Sequence, residues 1–216
     1  DITKEERFVG KTTILGAGYG MGPNKFQAQL ENFGVELELK ECERIIRVYR
    51  KTYRRIPALW YEANDALIAM MRGQSSPLGL KGILSVLGAQ GIEMPNKLLI
   101  KYPNLRKQLG EDGKQEIVYD TRRGRAVIPN RIYGGKVIEN VCQALARIVI
   151  GEQLLRVAKK YKVVMTVHDA IGCIAPEEEA EEAMAFVEKA MKVRPTWALD
   201  LPLDCEGGFG VSYGEC

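Results

Sequence analysis

Histidine occurs once in this chain of 216 residues, and none of its five cysteines forms a CxxC pair. The cysteines (Cys42, Cys142, Cys173, Cys205, Cys216) are odd in number and scattered. That pattern argues against a disulfide scaffold and against a zinc site, and favours a reducing cytoplasm. No apolar run approaches the roughly 18 residues a membrane span requires, and the charged N-terminus does not read as a signal peptide. Two nucleotide-loop signatures are also missing. Gly10-Lys11-Thr12 mimics the tail of a phosphate-binding P-loop, but Glu5 stands where that motif needs a glycine. The run Gly16-Ala-Gly-Tyr-Gly-Met-Gly22 fails GxGxxG, because Met21 and Pro23 occupy the positions where the last glycine would fall.

What remains is an ordinary globular composition, 46% hydrophobic and 27% charged, long enough for one large domain or two small ones. The net charge of +3 is unevenly spread. Residues 1–73 carry 12 basic and 10 acidic side chains, residues 74–136 carry 11 and 5, and residues 137–216 carry 8 and 13. A basic middle beside an acidic end suits a nucleic-acid surface next to a carboxylate site, although solvated surface charge produces such imbalances just as often.

Taken in order, the spacing predicts a helix over 4–15, with Thr3 and Glu6 as a capping box. Pro23 opens a second helix running to Phe33 and stopped by Gly34. A third, over 38–55, has Leu39, Cys42, Ile45, Ile46 and Tyr49 on one face. A fourth, over 58–72, follows the break at Pro57, and its stripe Leu59, Ala63, Ala66, Leu67, Met70 reads as packing. From Gly73 to Pro129 short strand-like runs (97–102, 116–120) alternate with turn residues, and 121–126 reads as a basic turn, as readily solvated as bound to a phosphate backbone. A long helix over 135–161 carries the polar stripe Asn140, Gln143, Arg147, which must meet water, a buried partner or a ligand. Two strands, 162–167 and 171–174, place His168-Asp169 at a hairpin turn. An acidic amphipathic helix over 177–193, facing inward through Ala183, Phe186, Val187, Ala190 and Met191, and a final strand over 200–208 complete the α+β reading.

The opening helix carries the oddest pattern. Arg7, Lys11, Leu15 and Tyr19 recur every four residues, a stripe of two cations, an apolar residue and an aromatic. Such a face suits a polyphosphate at one end and a flat base at the other.

Arg7, Lys11, Tyr19-Gly20 and His168-Asp169, in that order and spacing, resemble the family A DNA polymerases, the bacterial DNA polymerase I group and its phage relatives. The first stretch is similar to motif B, RxxxKxxxxxxxYG, on the fingers helix, and TVHDAIG to motif C of the palm. GGKVIENVCQALAR (134–147) resembles the palm helix whose glutamine lies near the primer–template minor groove, and DLPLDCEGGFGVSYG a phage-type C-terminus. The resemblance implies helical fingers over 1–73, a fingers–palm connection over 74–133, and part of an antiparallel-sheet palm over 134–216. It implies that Arg7 and Lys11 grip a dNTP triphosphate, that Leu15 stands beside its sugar and base, and that Tyr19 lies under the template base. His168, Gln143 and Arg147 would meet the primer–template, and Asp169 would be the one ligand here for two Mg²⁺ ions. The setting implied is the cytoplasm of a bacterial cell or phage-infected host, with no membrane.

Three departures bear on that reading. Ala170 stands where motif C usually has glutamate, and Asn140 precedes Gln143 by three residues where the family's asparagine precedes by four. Motif A, resembling DYSQIELR and holding the first metal-binding aspartate, is not in these 216 residues and is expected upstream of Asp1, as are the thumb and the 3′–5′ exonuclease. A partner polypeptide bearing motif A and the thumb is therefore implied, and a palm sheet lacking that strand should leave an open edge. A second reading stays beside the first: a non-catalytic nucleic-acid-binding module, or a split-enzyme subunit inactive alone. Singly, the residues are weak signals, since a lone histidine is usually structural and an aspartate is a common turn former.

Overall fold

Thr3 sets the start of the first helix as its spacing requires. Its hydroxyl accepts from the Glu6 N–H at 3.1 Å, and the Glu6 carboxylate accepts from the Thr3 N–H at 2.8 Å. The computed structural model describes residues 2–79, 82–110 and 113–216, so Asp1 and four residues of the middle segment (80, 81, 111, 112) lie outside the described residues. The chain divides into two units, Asp1–Cys142 and Gln143–Cys216.

The first unit begins with α1 (Lys4–Ala17), α2 (Pro23–Glu31) and α3 (Leu39–Thr52), followed by α4 (Arg55–Met71). Ala17, Phe26, Leu30, Cys42, Ile46 and Tyr49 make the shared core of α1, α2 and α3, joined by Phe8, Val9 and Met21. On α3 the inward residues fall at i, i+4 and i+7, and Leu39, expected on that face, is 39% exposed at the helix start. Pro57 does not precede α4 but sits in its first turn, where its missing N–H would have been unpaired anyway. Ala63, Ala66, Leu67 and Met70 are buried, as a packing stripe should be.

Two antiparallel sheets follow. The first is a meander in the order β1 (Ser76–Leu78), β2 (Leu84–Val86), β3 (Ile92–Glu93), β4 (Leu99–Ile100), with α4 packed against β1 and β2. The second holds β5 (Arg106–Leu109), β6 (Gln115–Arg123) and β7 (Ala126–Ile132) in sequence order. The basic stretch 121–126 is thus not a loop: Thr121–Arg123 continue β6, only Gly124-Arg125 turn, and Ala126 begins β7. β7 escaped the sequence reading because Pro129 argues against a strand. β7 is an edge strand, the place where a missing donor is tolerated.

Between the two sheets Tyr102 is buried, edge-on to Tyr119 at 5.1 Å, and its hydroxyl accepts from Asn140 Nδ2 at 3.0 Å. Burial pushes its phenol from the ordinary value near 10 up to about 12. The unfolded chain therefore gives up this proton first, and the contribution of Tyr102 is complete below about pH 10 and lost as pH rises through about 12. At about 1.4 kcal/mol per pH step, the loss reaches about 3 kcal/mol. Denaturant melts across this range should fall for the native chain and flatten for Tyr102→Phe. That variant should also start about 1 kcal/mol lower at neutral pH, because Asn140 loses its acceptor. Parallel alkaline profiles for the two proteins would refute the assignment.

The helix α5 (Gly134–Val157) carries residues of both units. In the second unit β8 (Lys162–Val167) and β9 (Ala170–Ile174) form a two-stranded sheet, and α6 (Ala180–Met191) follows a single 3₁₀ turn at Glu177–Glu179. Tyr161 meets Phe186 edge-on at 5.7 Å, and buried Gln153 donates to the Met191 carbonyl. The expected last strand over 200–208 does not form; those residues have no regular structure. Pro202 removes a ladder donor and Gly207-Gly208 add chain entropy. The segment is instead tied to α6 and the residue after it, by Lys192–Asp204 at 2.9 Å and by the Cys205 thiol donating to the Glu188 carbonyl.

Candidate functional site

On α1 the inward side is taken by Phe8, Val9, Thr12, Thr13, Gly16 and Ala17. Arg7 and Lys11 therefore face solvent, and among the described residues neither has an ion-pair partner. Beside them Ile14 is 60% and Leu15 57% exposed, an apolar patch on the same outer surface as the two cations. Two adjacent large apolar side chains left in water are informative where they stand next to unpaired charge, since such a surface gains from contact with an amphipathic ligand.

Tyr19 is the member of the stripe that lies beyond the helix: α1 runs two residues past the predicted end, to Ala17, and Gly18 caps it by donating to the Gly16 and Ile14 carbonyls. Tyr19 stands in a turn closed by Tyr19 N–H to Gly16 O at 3.1 Å and Gly20 N–H to Ala17 O at 3.2 Å. Other elements hold that turn. Trp60 Nε1 donates to the Gly18 carbonyl at 2.9 Å, and Arg50, whose guanidinium lies 5.7 Å over the Trp60 ring, donates to the Met21 carbonyl at 3.2 Å. The first residues of α5 press on it from another side: a Cβ at Gly135 would sit 2.4 Å from the Tyr19 carbonyl oxygen, and one at Gly134 only 1.8 Å from that of Trp60. The Gly134 N–H donates to Asn64 Oδ1 at 2.7 Å. Burial, followed by Cys142 and Glu139 nearby, pushes the Tyr19 phenol up from its ordinary value. The turn's backbone is thereby held in place at the end of the cationic helix, with Tyr19 half-buried on it.

Trp60, Arg50, Asn64 and the Gly134-Gly135 pair escaped the sequence reading. A glycine doublet opening a long helix was the available signal, because helix interiors disfavour glycine unless a backbone comes close.

In the second unit His168 and Asp169 form the two-residue turn between β8 and β9, with Val167 paired to Ala170. His168 has φ +53°, and Asp169 is not in the positive-φ region. That sign pattern is the one a type II′ hairpin turn uses, with glycine favoured at the first position. Holding a histidine there costs on the order of 1 kcal/mol, a local strain of the kind concentrated at working sites. Both side chains are exposed. β8 and β9 have no third strand among the described residues, so the expected open edge is present, and Val164 (52%) and Ile174 (59%) are exposed on the hairpin.

The donor set for a metal is incomplete. Among the described residues no group of three or more His, Cys, Asp or Glu is placed to hold an ion. Asp169 offers one carboxylate on an open turn, which does not by itself fit a metal centre. Of the polar stripe on α5, Asn140 is occupied by Tyr102, and Gln143 and Arg147 are exposed.

The chain is similar to the DNA polymerase of Bacillus phage SP02, at 29% identity over 214 residues that cover 94% of this chain. It spans 32% of the length of that curated relative. No protein-family model and no solved structure matches the chain. Among the described residues, no helix is long and apolar enough to cross a membrane.

Proposed function

We propose that this chain is the nucleotide-gripping and primer-end part of a DNA polymerase of the family A type, its fingers and part of its palm. The reaction is template-directed transfer of a nucleotide from a dNTP to a primer 3′-hydroxyl. The observation that carries this reading is the outer face of α1, where unpaired Arg7 and Lys11 run into exposed Leu15 and then to anchored Tyr19. Phosphoryl transfer asks a protein mainly for positioning and for charge opposite the leaving pyrophosphate. Arg7 and Lys11 supply that charge, Leu15 packs beside sugar and base, and Tyr19 presents a flat surface to the template base. His168, Gln143 and Arg147 serve the primer–template.

Asp169 would give one carboxylate to a Mg²⁺ centre whose remaining ligands come from outside this chain, the segment bearing motif A. When bound, the ions supply charge opposite the attacking and leaving oxygens.

A non-catalytic nucleic-acid-binding role is the second reading, and the solitary Asp169 followed by Ala170 favours it. One experiment separates the two. The 216-residue chain alone should not extend a primer, whereas the same chain replacing the matching third of the SP02 phage polymerase should restore extension. Extension by the isolated chain would refute the half-site; a well-folded chimaera that binds DNA without extending would favour the second reading.

A further inference from the structure

The β6–β7 hairpin has a charge pattern that the nucleotide surface does not use. β5 pairs with β6 as far as Arg106 with Val118, and the Asp120 N–H still donates to the Pro103 carbonyl at 2.8 Å, so from Thr121 onward the hairpin is a two-stranded arm. Its last rungs are Thr121 with Ile128, Arg122 with Val127 and Arg123 with Ala126, closed by Gly124-Arg125. Three rungs reach about 10 Å. Gly124, at φ +59°, occupies the turn position that favours glycine.

Cations at the base of the hairpin are neutralised: Arg106 pairs with Asp120 at 2.8 Å and Arg131 with Glu116 at 2.8 Å. At the tip Arg122, Arg123 and Arg125 are exposed, and among the described residues none has an ion-pair partner. No acidic residue occurs from Thr121 to Asn130. Arg122 and Arg123, being adjacent in a strand, point to opposite faces of the ribbon, and Arg125 extends from the turn. Three like charges within four residues repel one another unless a polyanion lies between or around them.

We propose that this tip is a sequence-independent contact for the phosphate backbone of a nucleic-acid duplex, separate from the outer face of α1. Guanidinium forks match phosphate oxygens in a way that lysine ammonium groups do not, and the tip has arginine alone. A two-stranded ribbon is narrow enough for the major groove, about 12 Å wide. The tip has no aromatic side chain on which unstacked bases could lie, which disfavours a single-strand platform.

The proposal deepens the polymerase reading by naming a second DNA contact, and it is tested without catalysis, so either can fail while the other stands. Binding of the full 216-residue chain to a short fluorescent duplex is followed against salt, for the native protein and for R122Q/R123Q/R125Q with Gly124 retained. At about 0.9 per phosphate contact, the log–log slope should become shallower by about 2–3 in the triple variant. The thermal midpoint should not move, because the replaced side chains are exposed. R122K/R123K/R125K should keep the slope. A slope unchanged in the glutamine variant, an equal loss in the lysine variant, or polyglutamate competing as well as DNA would each overturn the proposal.

Discussion

Asp169→Ala, placed in the SP02 phage polymerase that carries this chain as its matching third, is expected to reduce primer extension at least about 10³-fold. The side chain is the one carboxylate the His168-Asp169 turn offers, and among the described residues no cluster of metal-ligating side chains could take its place. A loss of about 4 kcal/mol of barrier lowering corresponds to that factor, a magnitude in keeping with removal of one ligand from a centre that neutralises reacting phosphoryl oxygens. Because the side chain is exposed, DNA affinity and the melting temperature should stay close to those of the parent chimaera. Extension at the parental rate would show that the carboxylate is a turn former only and would remove the metal assignment.

Lys11→Ala should have the next largest effect, a fall of about 10³-fold in kcat/KM for the incoming dNTP. The way this loss divides is informative. A charge that meets the leaving pyrophosphate more strongly in the transition state than in the bound substrate lowers kcat, whereas a charge that merely holds the triphosphate raises KM alone. Arg7, one turn earlier on the same exposed face, should contribute chiefly to KM, being nearer the entry of α1. Neither substitution should disturb folding, since the inward side of α1 is built from Phe8, Val9, Thr12, Thr13, Gly16 and Ala17. A K11A chimaera with unchanged kcat/KM would detach α1 from the nucleotide.

Much of the site is legible because its determinants are local. Thr3 and Glu6 are three residues apart and satisfy each other's backbone groups, so the start of α1 follows from sequence alone. The short gap between the strand runs 162–167 and 171–174 similarly places His168-Asp169 at a hairpin turn, which the structure tightens to two residues by starting β9 at Ala170. The four-residue repeat of Arg7, Lys11 and Leu15 puts them on one face of the helix whatever surrounds it.

The failures share a cause. A strand exists only if a neighbour completes its hydrogen bonds, and a one-dimensional pattern does not contain the neighbour. Residues 200–208 join no strand, since Pro202 and the Gly207-Gly208 pair disfavour a ladder, whereas 126–132, with a proline at the sheet edge, join β6. Tyr19 illustrates the same limit at a single residue. Its four-residue spacing aligns it with Arg7, Lys11 and Leu15, but contacts from Trp60, Arg50 and Gly135, distant in sequence, are what hold the backbone of the turn that carries it.

By itself, then, the sequence determined the chemistry of this protein: which charges, which aromatic and which carboxylate are available, and the helix face or turn that bears most of them. The tertiary structure alone decided which of these groups are left unpaired. Arg106 and Arg131 are neutralised across strands while Arg122, Arg123 and Arg125 are not, because ion pairs form between side chains that strand register brings within a few ångströms, and register is a property of the folded sheet.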